Sequence, residues 1–208
     1  MSLREKKKDR TRLQLLEAAL ALIARQGFAE TTINQIAAAV DVSPRTLLRY
    51  FPTKEDVIVS WVEEGQAVFR AALVEQAATQ TIHLALLASA RAMLAHYQAR
   101  EDFYLAIERV IATSPGISAR KQEMTASLSA DVTEILAGLS CSDLRTLLYP
   151  AVIFAMVKVA FQSWVATDGD TPLLVAFDEA ARLIDFHERS ATAAEPQSPC
   201  SVGHRPAA

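Results

Sequence analysis

Glycine and proline are scarce, six and eight among 208 residues, and almost no stretch alternates polar and apolar residues with period two, so a β-sheet protein is excluded. Cysteine is nearly absent. Cys141 lies in an apolar region and Cys200 in a polar one, with no paired spacing, so both are expected to be free thiols in a reducing cytoplasm rather than a disulfide framework. Neither stands at ligand spacing from His83, His96, His187 or His204, and no metal site is expected. The N-terminus is charged, which argues against a signal peptide. The longest apolar run, residues 147–157, contains Pro150 and falls short of the roughly 20 residues of a membrane span. No phosphate loop, nucleophile elbow or HExxH pattern is present, so no catalytic residue and no cofactor are expected.

What the chain does have is a hydrophobic content of 51%, ample for a packed core, arranged with helical period. Leu13, Leu16, Leu20 and Ile23 recur at three- and four-residue intervals, which predicts a helix over residues 9–26 with Gly27 as its stop. Thr31 or Thr32 is placed to cap a second helix carrying Ile33, Ile36 and Val40 on one face. Thr53 and Asp56 stand in capping-box spacing ahead of Val57, Ile58, Trp61, Val62 and Phe69, so a longer helix is expected from residue 53. Further helices are expected over residues 81–99, 102–113, 118–139, 143–166 and 172–188, with breaks at Pro115-Gly116 and at residues 168–170. Residues 190–208, rich in Ala, Ser, Pro and Thr, are expected to be a disordered tail. The fold class is therefore all-α.

Charge divides unevenly along the chain. The net charge is -3, yet residues 1–54 hold ten Lys and Arg against five Asp and Glu, and the remainder holds eleven against nineteen. A basic end on an acidic protein points to a polyanion partner at that end. Within it, SPRTLLRYFPTKED at residues 43–56 reads as a short helix bounded by prolines. Ser43 can cap it, Pro44 suits the first helical position, and Pro52 disfavours helical geometry at Phe51. At about 100° per residue, Leu47 and Phe51 fall on one side and Arg45, Thr46 and Arg49 on the other. Two helices joined by the turn at residues 41–43, sharing Ile36, Val40, Val42 and Leu47 as core, fit a helix-turn-helix whose second helix enters a major groove. Arg45 or Arg49 would read guanine, Thr46 a thymine methyl or a phosphate, and Lys54, in the first turn of the next helix, a phosphate.

Residues 13–60, centred on TTINQIAAAVDVSPRTLLRYFPTKEDV, resemble the DNA-binding domain of TetR-like transcriptional regulators. The resemblance implies an N-terminal three-helix helix-turn-helix domain with a basic arm (residues 1–54) and a larger helical ligand-binding and dimerisation domain (55–189). It implies a homodimer on double-stranded operator DNA, released by a small hydrophobic effector. Arg45, Thr46, Arg49, Tyr50 and Lys54 match operator-facing positions, Thr32 matches a phosphate contact, and Ser43 is counted with them. Two residues depart from the pattern: Asp41 stands where glycine is usual in the turn, and Leu48 where tyrosine is common.

Beyond residue 60, candidates for an apolar cavity with a few polar groups are Trp61, Tyr97, Phe103, Tyr104, Ile107 and Glu108, with Met93, His96 and Met124 nearby. Residues 147–164 are apolar nearly all round and read either as a central core helix or as a dimer interface; in the resembling family the last two long helices form the dimer. The competing function class is a helical small-molecule-binding protein or enzyme without DNA binding. A soluble cytoplasmic regulator is the expectation, with no membrane partner and no enzymatic activity.

Overall fold

The computed structural model describes residues 3–139 and 144–184. Cys141, Cys200, His187, His204, the end expected for the last helix at 185–188 and the tail expected over 190–208 lie outside the described residues, as do the side chains of Arg4 and Lys6 in the basic arm.

Ten helices and no strand occur among the described residues. They are α1 (Leu3–Gln26), α2 (Ile33–Ala39), α3 (Pro44–Tyr50), α4 (Lys54–Val59), α5 (Trp61–Gln76), α6 (Ile82–Gln98), α7 (Glu101–Thr113), α8 (Pro115–Leu139), α9 (Leu144–Ala166) and α10 (Leu173–Arg182). The all-α expectation holds. The first helix begins earlier than its apolar pattern, because Leu3 to Arg12 continue it as a polar extension. Its stop is Gly27, which turns to a φ of 82° and donates its amide to the Ile23 carbonyl at 2.8 Å. Only a residue without Cβ takes that left-handed geometry at no steric cost.

The helix expected from residue 53 is divided. After Val59 the amide of Ser60 bonds three residues back, to the Val57 carbonyl, and the Ser60 hydroxyl donates to the same oxygen at 2.7 Å. A serine that spends its hydroxyl on the preceding turn tightens the helix there. The result is a short α4, buried through Val57, Ile58 and Val59, followed by α5. The expected domain boundary after residue 54 falls at the start of α4, which packs on α1 and on α8 alike.

In the C-terminal part α5 packs along α6, and α9 packs against α6, α7, α8 and α10. Helix α9 runs through Pro150, so the proline neither ends nor interrupts it. Over its full length α9 is long and apolar enough to cross a membrane, with a mean hydropathy of 1.6 over its best window. Its Ile153, Met156, Val157, Ala160 and Trp164 are instead buried against neighbouring helices. The core of this part is aromatic: the Trp61 ring centre lies 4.6 Å from that of Tyr97 and 5.4 Å from that of Tyr104. Burial first, then Tyr104, Glu108 and Glu64 nearby, hold the Tyr97 hydroxyl protonated, well above its ordinary pKa. Burial and next the Glu64 carboxylate raise Tyr104 to about 12.

That cluster depends on Gly65 inside α5. A Cβ there would lie 1.6 Å from the Tyr97 hydroxyl oxygen, an impossible distance. In an ordinary helix interior, Gly→Ala stabilises by about 1 kcal/mol. Here the sign reverses, because the fully buried Tyr97 must move. Gly65→Ala is expected to destabilise the protein by about 1–3 kcal/mol in chemical denaturation, the usual cost of overpacking; a gain in stability would contradict this packing.

Candidate nucleic-acid interface and ligand cavity

A seven-residue helix is far below the roughly 12–15 residues at which isolated helices become even marginal, so α3 must be fixed from outside. Three features hold it. The Ser43 hydroxyl accepts the Thr46 amide proton at 3.1 Å and pairs with the Thr46 hydroxyl at 2.8 Å. Pro44 occupies the first turn, where no amide proton is needed. Leu47 and Phe51 are buried with Ile36, anchoring one face in the core, while Val40 and Val42 are half-buried against it. Full burial of a leucine contributes about 1.5–3 kcal/mol, more than any single cap. The opposite face carries Arg45 and Arg49, both exposed, with the Arg49 guanidinium 5.6 Å from the Tyr50 ring centre.

The turn before α3 contains Asp41 at φ 54°, the left-handed geometry for which glycine is usual. Aspartate is among the few residues that adopt it, so the departure at 41 leaves the turn intact. Leu48 is exposed at 46%, an apolar group on the presented surface. Thr32 closes a capping box at the start of α2: its side chain takes the Gln35 amide proton at 3.3 Å, while the Gln35 side chain accepts the Thr32 amide proton at 2.9 Å.

Lys54 departs from the expectation of a phosphate-facing ammonium. Its Nζ donates to the carbonyls of Phe28 at 2.8 Å, Thr31 at 3.2 Å and Ala29 at 3.4 Å, and lies 4.2 Å from the Phe28 ring centre. An ammonium has three donors, and all are used inside the protein to close the α1–α2 link. Sequence spacing carried no sign of this, because the carbonyl cage forms only when α4 folds back over that link. Arg12, from the basic arm, is likewise engaged: it pairs with Glu63 and covers the Phe51 ring at 4.9 Å.

The second site is a cavity of about 690 Å³ between α5, α6, α7, α8 and α9. Trp61, Tyr97 and Glu108, named from sequence, line it, and so does Met93. Phe103, Tyr104 and Ile107 do not. Tyr104 is buried in the aromatic cluster with its hydroxyl 3.4 Å from Glu64, Ile107 is fully buried, and Phe103 stacks under the Arg100 guanidinium at 4.2 Å. His96 sits against Tyr97 and Tyr104, and Met124 packs against the core, with its carbonyl accepting a hydrogen bond from Gln66 at 2.9 Å. Sequence reasoning missed Gln66, Lys121, Phe154, Phe161 and Lys158, all lining residues. The nearly all-apolar pattern around 147–164 was the available signal, since such a stretch must face a core, a partner or a cavity.

Two clamps meet on α8, one within the cavity wall and one that ties it to α4. Lys121 of α8 pairs with the buried Glu108 of α7, and its Nζ lies 4.5 Å from the Phe161 ring centre and 5.2 Å from that of Trp61. Its neighbour Arg120 reaches the opposite way, donating from Nε to Asp56 Oδ1 at 2.7 Å. The other oxygen of Asp56 accepts the amide and hydroxyl protons of Thr53 at 3.0 and 2.8 Å, capping α4. Burial alone would raise the Asp56 pKa, but hydrogen bonds from Arg120 and Thr53 and the Arg120 charge outweigh it and hold the carboxyl below its ordinary value of 3.8.

Residues 15–60 match the family described as bacterial regulatory proteins, tetR family. The chain is 32% identical over 190 residues to the HTH-type transcriptional regulator TcmR of Streptomyces glaucescens, an alignment spanning 86% of this chain and 84% of that protein. Among solved structures, NalD of Pseudomonas aeruginosa, the secondary repressor of the MexAB-OprM multidrug efflux pump, superposes with a TM-score of 0.60 at 16% identity over 85% of this chain and 96% of its own. Thermus thermophilus FadR, a TetR-family repressor in complex with lauroyl-CoA, does so with a TM-score of 0.55 at 20% identity over 89% of this chain and 100% of its own.

The Asp56 clamp carries a pH signature. A carboxyl held below its ordinary value contributes stability that is complete above that value and is lost as pH falls through the folded-state pKa. Asp56→Ala is expected to lower stability by about 1–2 kcal/mol at neutral pH, mostly through the lost cap. The difference from wild type should shrink as pH falls below 3.8. A deficit unchanged down to about pH 2.5 would show that the carboxylate charge plays no part.

Proposed function

The chain belongs to the TetR family of bacterial transcriptional regulators, and on that premise we propose that it binds palindromic operator DNA as a homodimer and represses until a small hydrophobic effector enters its cavity. The observation that carries the reading is α3, where Leu47 and Phe51 are buried while Arg45 and Arg49 are exposed on the opposite face. A short helix anchored on one side and cationic on the other is built to lie in a major groove, with arginine reading guanine bidentately. Ser43, Thr46 and Tyr50 flank it, and Thr32, exposed at the start of α2, would meet a backbone phosphate. Lys54 is reassigned: it braces the α1–α2 link instead of holding a phosphate. The domain division follows the same lines, with a DNA-binding unit up to about residue 54, an effector and dimer unit to about 189, and α4 as the joint.

Dimerisation is supported by a stripe on α9. Leu144, Leu147, Leu148 and Val159 are exposed at 72, 59, 50 and 51%, and at 100° per residue they fall on one side of the helix with Ala151 and Ala155. Val175 on α10, with Leu183 and Ile184 just after it, adds further exposed apolar surface. Contiguous apolar area of this kind marks an interaction face, and a second copy presenting the same stripe closes it as an isologous pair. The two α3 helices would then stand about one DNA turn apart, roughly 34 Å.

Release follows from geometry. Lys121 in the cavity wall and Arg120 on Asp56 are consecutive residues of α8, so an effector that shifts α8 shifts α4 and the helices packed on it. A coupling of 1–3 kcal/mol changes operator affinity about five- to 150-fold. This cytoplasmic regulator needs no catalytic group.

With a site selected from a random duplex pool, Arg49→Ala is expected to weaken binding by about 1–3 kcal/mol and to relax the preference at one base position. Binding with wild-type affinity and selectivity would remove α3 as the reading element. Leu148→Glu should sediment as a monomer at concentrations where the wild type is a dimer, and an unchanged dimer would place the interface elsewhere.

A further inference from the structure

Resting on the reading of the 690 Å³ cavity as the effector site, we propose that its effector is an organic anion: an apolar, ring-bearing body with one acidic oxygen seated on Lys121.

Charge supports this first. Among the described lining residues the charged groups are Glu108, Lys121 and Lys158, two ammonium groups against one carboxylate, so a ligand with one negative charge completes the balance. The Lys121 ammonium is mostly buried, with its side chain 20% exposed, and Glu108 occupies one of its three donors. Phe161 and Trp61 cover it at 4.5 and 5.2 Å, an arrangement that keeps the cation out of water while a further acceptor can still reach it. Lys158, exposed on α9, stands at the cavity edge where it attracts the same charge.

The rest of the lining fits the body of such a molecule. Trp61, Tyr97, Phe154 and Phe161 supply aromatic surface, and Met93, Ile111 and Leu128 supply aliphatic surface. Trp61 is 2% exposed and its indole N–H has no hydrogen-bond partner among the described residues. That N–H is shielded from the cavity as well as from solvent, so Trp61 offers a ligand its ring surface and not its donor.

A matched pair of fluorescent probes tests the charge directly: 8-anilinonaphthalene-1-sulfonate, and N-phenyl-1-naphthylamine, the same ring skeleton without the sulfonate. The full chain is titrated with each, as wild type and as three variants. Glu108→Gln leaves Lys121 without its carboxylate. The double variant Glu108→Gln, Lys121→Met removes the pair together, so that no buried charge is left alone to unfold the protein. Ala112→Trp, at an exposed lining position on α7 and away from the α9 stripe, blocks the cavity. The proposal expects the affinity ratio, sulfonate over naphthylamine, to fall about tenfold in the double variant and to rise in Glu108→Gln, with N-phenyl-1-naphthylamine binding nearly constant. A ratio unchanged in the double variant overturns the anion proposal and leaves the cavity a ligand site. Wild-type binding of both probes to Ala112→Trp, or no binding of either probe to wild type, overturns the cavity reading and the proposal with it.

Discussion

One carboxylate serves both the cap of α4 and the link from α4 to α8. Asp56 gives one oxygen to the amide and hydroxyl of Thr53 and the other to Arg120. The first closes the N-terminus of α4; the second fastens α4 to α8, the helix whose next residue, Lys121, stands in the cavity wall. The energies are unequal. A helix cap contributes about 1 kcal/mol, while an ion pair whose arginine is 43% exposed contributes little to stability. The value of the Arg120 bond is therefore positional: it sets where α4 lies relative to α8. Lys54, two residues earlier, carries that position to the α1–α2 link through three carbonyl bonds. From there α2 and α3 follow as a packed pair.

The N-terminal helices were legible in the sequence because their determinants are local. Thr32, Ser43 and Thr53 are caps, Pro44 and Pro52 bound α3, and Gly27 ends α1, each readable within four residues. Even the unusual Asp41 was interpretable, since its conformational tolerance belongs to the residue itself. The C-terminal part was less legible for the opposite reason. Helix positions followed from apolar period, but the cavity is defined by five helices, and neither the Glu108–Lys121 pair nor the Gln66–Met124 bond is visible in spacing. Tyr104 and Ile107 show the difficulty: they share α7 with the lining residues Glu108 and Ile111, yet Tyr104 packs in the aromatic cluster and Ile107 is buried away from the cavity. Lys54 failed for the same cause, a tertiary partner set overriding a sound local argument about helix ends.

The cavity and the proposed interface share a helix as well. One side of α9 supplies the cavity with Phe154, Val157 and Phe161, and another exposes Leu144, Leu147 and Leu148. A helix apolar on nearly every face resolves in this way into core, cavity wall and exposed apolar surface. It also means that filling the cavity and repositioning the proposed partner act on the same rod.

In the proposed function, cavity occupancy reaches α3 through Arg120 and Asp56. Operator affinity measured with and without saturating 8-anilinonaphthalene-1-sulfonate, in wild type and in Arg120→Gln, tests it most directly. The expected result is a weakening of about fivefold or more in wild type and almost none in the variant, with both binding the probe equally. A variant that releases operator as readily as wild type, or a wild type indifferent to the bound probe, would contradict it.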